Sequence, residues 1–107
     1  MKVELQQQSL RLSLEPAELQ VLLAGETVEN MTRFGGVEGW GLALSLHAGD
    51  QPVLLDGGTF CRVVLPRATV QPLAGAPSVP VQQVLYLDDG SSLQVQILVA
   101  PVQPGSR

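Results

Sequence analysis

Hydrophobic and polar residues alternate with a period of two along most of the chain, which is the pattern of strands with one buried face. The clearest early example is 9–14, where leucine occupies every second position. Turns rich in Gly, Pro or Asp-Gly separate the alternating segments and predict about seven or eight short strands. We place the alternating segments at 1–6, 9–14, 26–34, 40–48, 53–56, 59–65, 81–87 and 91–99.

One segment changes from the period of a strand to that of a helix. Pro16 suits the first helical position, because its φ is fixed near the helical value and it lacks an N–H that would be left unpaired there. Glu15 is then the N-cap, and leucines spaced three and four residues apart form an apolar stripe. Gly25 can take the left-handed conformation that ends a helix. The sequence predicts a short helix at about 16–24 that depends on docking against a sheet.

The spacing of strands and turns predicts a mainly β fold of the α+β class, with one short helix. We expect an antiparallel meander that forms a small barrel or a sandwich, with the helix after the second strand. Residues 1–100 are assigned to a single domain and 101–107 to a flexible C-terminal tail. A second helix could begin at Pro66, but Pro72 would stop it within two turns. The segment 73–80, rich in Pro, Gly and Ala, is interpreted as a loop.

Composition and charge narrow the classes of partner. Of the 107 residues, 45% are hydrophobic and only 15% are charged, so the surface is poor in charge and favours association into a homo-oligomer. The alternative is a sheet that is buried on both faces. The net charge is −4 and the six basic residues are scattered, which argues against nucleic acid and anionic membranes as partners. We expect the partner to be a second copy or another protein.

Targeting signals are lacking in the sequence as given. It contains no apolar stretch near the ~18 residues of a membrane span and no signal-peptide pattern. The chain has a single cysteine, which cannot form an intramolecular disulfide. We therefore expect a cytoplasmic protein.

Residues with catalytic or metal-binding chemistry are few. His47, the chain's one histidine, is predicted at the end of a strand on the face opposite the leucines, and a general base there would need Glu38, Asp50 or Asp56 nearby. A solvent-facing histidine is the alternative. Cys61 alternates with apolar residues, as a core thiol does. One His and one Cys cannot supply the three or four ligands of a zinc site, so we predict no metal, no cofactor and no catalytic residues.

Two aromatic residues are the remaining candidates for binding. Phe34 ends one predicted strand and Trp40 begins the next, on either side of a glycine-rich turn. Both could meet a ligand or partner at the mouth of a barrel. The alternative is a cross-strand aromatic pair that covers the core. With His47, these two residues form the predicted binding site.

The opening sequence, MKVELQQQSLRLSLEPAELQVLLAGETVENMTRF, resembles a family of short, uncharacterised bacterial proteins that begin with an MK-x-R-x hairpin and continue as SLRLRL, a helix and G-x-x-V-E-E-x-T-x-F. The matching residues are Met1, Lys2, Ser9, Leu10, Arg11, Leu12, Leu14, Glu18, Gly25, Val28, Glu29, Thr32 and Phe34, with further similarity at 61–66 and at Asp89, Gly90 and Leu93. The chain departs from the pattern at Gln7-Gln8, at Ser13 and at Val99-Ala100-Pro101, where the family has a charged run. The resemblance implies a small β-rich fold and no known activity.

Three hypotheses for function follow. The first is a non-enzymatic interaction or structural module that self-associates through an apolar sheet face or an edge strand. The second is a small-molecule-binding barrel with a pocket near Phe34 and Trp40. The third, an enzyme that uses His47 or Cys61, has the least support because no partner group is evident in the sequence.

Overall fold

The computed structural model describes residues 1–35 and 37–100, without the side chains of Phe34, Val37, Glu38 and Asp56. Eight strands and three short helices follow one another in these residues. They are β1 (Lys2–Gln6), β2 (Ser9–Leu14), α1 (Pro16–Leu23), β3 (Val28–Phe34), β4 (Val37–His47), β5 (Val53–Asp56), β6 (Phe60–Pro66), α2 (Arg67–Val70), α3 (Pro72–Gly75), β7 (Val81–Tyr86) and β8 (Ser92–Val99). The prediction of a mainly β fold with a helix after the second strand is confirmed. The predicted C-terminal tail, 101–107, lies outside the described residues.

The strands form two four-stranded sheets. Sheet A has the order β1-β2-β8-β7 and sheet B the order β3-β4-β6-β5. Each sheet joins two antiparallel hairpins through a central parallel pair, β2 with β8 and β4 with β6. The predicted meander is therefore wrong, because each sheet has a parallel pair at its centre and all four strands of sheet B come between the two hairpins of sheet A. Over the described residues the two sheets stay separate and do not close into a barrel.

The two halves of the chain repeat one arrangement, in which a hairpin, a helical connection and a second hairpin follow one another. Val3 pairs with Leu12 in the first hairpin, and Leu54 pairs with Val63 at the corresponding place of the second half. The other hairpins and the two parallel pairs correspond in the same way. Each sheet combines the first hairpin of one half with the second hairpin of the other half. Sheets A and B are therefore equivalent by position.

Buried side chains from both sheets and the helices form one continuous cluster. Its members alternate along the strands and recur at helical spacing in α1, as the sequence predicts. The cluster comprises Leu10, Leu12, Leu14, Leu19, Leu22, Val28, Leu42, Leu44, Val63, Leu65, Val70, Leu73, Leu85, Val95 and Ile97. The side chains between them along each strand face outward, and these outward faces carry the candidate sites.

The helical connections are held by hydrogen bonds at their ends. The backbone N–H of Glu15 donates to the Glu18 carboxylate over 2.9 Å, which satisfies a donor that the start of α1 would otherwise leave unpaired. Gly25 has a φ of 97°, the left-handed conformation expected after a helix. The guanidinium of Arg67, at the start of α2, donates to the carbonyl of Leu23 at the end of α1. The two helical connections therefore contact each other.

The segment around Pro72 differs from the prediction. Pro72 does not end the helical region, since it begins a second short helix, α3. A proline is tolerated in the first turn because its missing N–H has no helical partner there. Leu73, which the sequence places in a loop, is fully buried. The connection in the second half is thus two single helical turns in the position that α1 occupies in the first half.

Glu18 makes stability depend on pH. Partial burial acts to raise its pKa, but hydrogen bonding to the Met1 ammonium group at 2.5 Å and to the Glu15 N–H outweighs burial and holds the pKa of Glu18 below its ordinary value of 4.5. A lowered folded-state pKa stabilises the protein above the unfolded-state pKa, and this contribution disappears as pH falls through the folded-state value. We expect the difference in unfolding free energy between the parent and Glu18→Gln to be constant at neutral pH and to shrink below about pH 4.5.

Urea unfolding at a series of pH values measures this difference. Acetylation of the Met1 amino group removes the same ion pair from its other side, so it provides the second arm of a double-mutant cycle. In the acetylated chain, Glu18→Gln should cost less than in the parent. An equal cost in both backgrounds, or a difference that grows toward low pH, would contradict the prediction.

Candidate functional site

The predicted general base His47 is engaged in the turn that follows β4. Its Nδ1 atom accepts a hydrogen bond from the Gly49 N–H at 2.8 Å, and its Nε2 atom lies 2.6 Å from the carbonyl oxygen of Gln51. A carbonyl only accepts, so Nε2 carries the proton and Nδ1 does not. Both ring nitrogens therefore hold the turn between β4 and β5, and this arrangement leaves neither to take a proton from a substrate.

Cys61 and His47 are not brought together. Cys61 is half-buried on β6 and pairs with Leu42, whereas His47 pairs with Pro66 at the far end of the same parallel pair. Five residues of strand separate the two levels, about 17 Å. Leu42 belongs to the core and His47 has the opposite parity on β4, so the two residues also belong to opposite faces of sheet B.

The structure describes only one of the two side chains of the predicted aromatic site. Trp40 is partly buried, packs against the core cluster and pairs with Thr32. Phe34 pairs with Val37, so it is not directly opposite Trp40, and its side chain lies outside the described part of the chain. Residues other than these two line both cavities described for the protein. The pocket near Phe34 and Trp40 therefore stays a prediction.

The described residues contain neither a cluster of metal ligands nor a membrane-spanning helix. Among the side chains that the structure describes, which exclude those of Glu38 and Asp56, there is no group of three or more His, Cys, Asp or Glu residues that could hold a metal ion. In the same part of the chain, no helix has the length and apolar character needed to cross a bilayer.

Much of the outer face of sheet B is apolar, although it faces away from the core and also carries Glu29, Ser45 and Arg62. We call the apolar part of this surface the apolar face and define it by Met31, Gly41, Ala43, Val53, Leu55, Phe60 and Val64, of which Ala43 is itself fully buried. Met31 is 54% exposed and Leu55 is 55% exposed. A Cβ atom at Gly41 would lie 2.2 Å from the Met31 sulfur and 3.0 Å from a ring carbon of Phe60. The Met31 and Phe60 side chains thus extend over Gly41 and join across β4 into a continuous apolar surface.

The outer face of sheet A has the opposite character. It contains a cavity of about 390 Å³ that we call the polar groove, defined by Glu4, Gln6, Ser9, Arg11, Gln82, Gln94 and Gln96. These side chains come from all four strands of sheet A, and therefore from both ends of the chain. Five of the seven are polar and uncharged. The outer face of sheet A is therefore more polar than that of sheet B, although it also carries the exposed Val84 and Tyr86.

Because of the internal repeat, the outward residues of the two sheets can be compared at matched positions. Met31 corresponds to Val84, Leu55 to Glu4 and Phe60 to Ser9. Further outward pairs, written with the sheet B residue first, are Gly41 and Gln94, Ala43 and Gln96, Val53 and Lys2, Val64 and Ser13, Arg62 and Arg11, Glu29 and Gln82, and Ser45 and Leu98. Only the arginine is retained in both sheets, so the fold itself does not require apolar residues at these positions.

Sequence reasoning identified neither face, although a signal was present. Segments 9–24 and 60–75 align without a gap and share Arg, Leu, Ala, Gln and Leu at matched positions. An internal repeat of this kind places the two segments in equivalent environments, so that their outward residues can be compared directly.

Comparisons with family models, curated proteins and solved structures gave no match to this chain. The resemblance to short bacterial proteins and the cytoplasmic location stay predictions.

Proposed function

We propose that the protein is a non-enzymatic interaction module that self-associates through the apolar face. The observation that carries this proposal is the contrast between matched positions of two equivalent sheets. Sheet A tolerates Glu4 and Ser9 where sheet B has Leu55 and Phe60. Exposed apolar patches on soluble proteins are characteristic of interaction surfaces.

The arrangement of charge on the apolar face fits a second copy of the same chain. Glu29, Ala43, Arg62 and Leu55 lie in one row across sheet B. In a symmetric dimer the same surface occurs on both sides. A two-fold axis parallel to the strands places β4 of one copy over β6 of the other, so that Arg62 faces the small Ala43. Glu29 of the second copy is then one strand spacing, about 4.8 Å, to the side of Arg62.

The area of the sheet face limits how tightly two copies of the chain can associate. Four strands at about 4.8 Å give a width of about 19 Å, and strands of seven residues are about 23 Å long. The face therefore covers about 440 Å² on each copy, below the ~800 Å² per partner of standard stable interfaces. We expect a reversible dimer that forms at high protein concentration.

Sedimentation equilibrium of the full chain across about three decades of concentration tests the proposal. The average mass of the parent should rise from monomer toward dimer, and Met31→Glu should weaken the dimer at least tenfold because it buries two like charges. Val84→Glu is the matched control, since it places the same charge at the equivalent position of sheet A. A parent chain that remains monomeric throughout, or equal weakening by both variants, would overturn the proposal.

A further inference from the structure

The polar groove is preorganised by contacts among its own side chains. Arg11 donates from Nε to the Gln96 side-chain oxygen at 3.0 Å, and its Nη1 atom lies 4.0 Å from a carboxylate oxygen of Glu4. Glu4, Arg11, Gln96 and Gln82 follow one another in a single row across the four strands. The row places hydrogen-bond donors and acceptors side by side across the four strands.

The electrostatics of the groove favour a neutral ligand. Its one acid, Glu4, and its one base, Arg11, compensate each other, so the groove offers no net attraction for an anion or a cation. Because the oxygen of the Gln96 amide accepts from Arg11, its NH₂ group is the part left to donate to a ligand. The other glutamine amides supply both donors and acceptors, which is the mixture that sugar hydroxyl groups require.

An exposed aromatic ring lies on the same face of sheet A as the groove, outside the groove's own lining. Tyr86 follows Gln82 and Val84 on the outward side of β7 and is 83% exposed. It pairs with Ser92, one step along β8 from Gln94. An exposed ring next to amide groups gives an apolar surface on which the C–H face of a sugar ring can pack. The cavity of about 390 Å³ falls in the range of small-molecule sites.

We propose that the polar groove binds a short neutral oligosaccharide, with Gln94 and Gln96 donating to its hydroxyl groups and Tyr86 packing against a ring. The site lies on sheet A, whereas the apolar face lies on sheet B, so ligand binding does not depend on self-association. A dimer formed through sheet B would display its two grooves on opposite outer sides and would be bivalent.

Proton–nitrogen correlation spectra of the full chain, titrated with maltotriose, cellotriose and chitotriose to about 10 mM, test this proposal. At least one sugar should shift the side-chain amide signals of Gln82, Gln94 and Gln96. Gln96→Ala and Tyr86→Ala should each weaken binding about three- to tenfold, the effect of losing one or two hydrogen bonds or a stacking contact. Gln20→Ala, which removes an exposed glutamine from α1, is the matched control and should bind as the parent does.

Sugar binding can be measured independently of self-association. The same titration of Met31→Glu should give the same affinity, and backbone signals show directly whether each variant is folded. Absence of shifts with all three sugars would overturn the proposal. It would also be overturned if a sulfated trisaccharide or a glutamine-rich peptide bound the groove more tightly than the neutral sugars, or if the Gln20→Ala control lost affinity equally.

Discussion

Replacement of Leu22 by alanine is expected to lower the free energy of unfolding by about 2–5 kcal/mol. The Leu22 side chain is fully buried where α1 packs against the sheets. Truncation removes apolar contacts and leaves a cavity that the surrounding strands cannot close without loss of pairing. Leu73 has the equivalent position in the second half and is also fully buried, so Leu73→Ala should fall in the same range.

Chemical denaturation followed by circular dichroism measures these differences. Val21→Ala is the matched control, because Val21 precedes Leu22 on the same helix but is 39% exposed. It should cost less than about 1 kcal/mol. If Leu22→Ala cost no more than Val21→Ala, the helix would not be docked as the structure shows.

The second large effect is expected at Gly39 in β4. A Cβ atom there would lie 1.5 Å from the carbonyl oxygen of Thr32 and 2.8 Å from the Cα of Arg33. Both are backbone atoms of β3, next to the point where the register of the two strands shifts between Thr32 and Phe34. Any side chain must therefore push the strands apart. We expect Gly39→Ala to destabilise the protein by about 1–3 kcal/mol, as overpacking does elsewhere.

Gly75 provides the matched control for Gly39. No heavy atom lies within 4 Å of a Cβ built on Gly75. Gly75→Ala should leave stability unchanged or raise it by up to about 1 kcal/mol, since alanine restricts the unfolded chain and favours helix. Unfolding transitions of the two variants, recorded under the same conditions, check the prediction. Equal stability of both variants would show that β3 and β4 do not approach as closely as the structure places them.

The elements of the fold were predictable from local patterns, and the way they pair was not. Alternation along 9–14 and the helix start at Pro16 depend on neighbouring residues, so the sequence reveals them directly. The parallel pairing of Leu12 with Ile97 joins residues 85 positions apart, and no local pattern encodes it. The two helical connections carry the chain between the sheets after β2 and after β6, whereas β4 and β6 are parallel because β5 lies between them in the sequence. At Pro72 a local rule misled because proline both ends and begins helices.

The apolar face was not predicted from the sequence, for a related reason. His47 was selected because histidine is rare in this chain, but its ring is used by the turn at Gly49 and Gln51. The apolar face brings together residues of four strands, so it becomes visible only when the register is known. Met31 alone is an ordinary exposed methionine. It becomes significant when Gly41 and Phe60 are placed beside it and their matched positions in sheet A, Gln94 and Ser9, prove to be polar.

The internal repeat also bears on where a chain of this fold can start. Lys2 pairs with Ser13, and the N–H of Ala100 donates to the carbonyl of Leu14 at 2.8 Å, so both ends of the described chain flank the same end of β2. They are separated by about two strand spacings, roughly 10 Å. A circularly permuted chain that began at β5 and ended at β4 would present the same succession of hairpin, helical connection and hairpin twice. Every strand pair would be retained, with the single break moved to the turn that His47 holds.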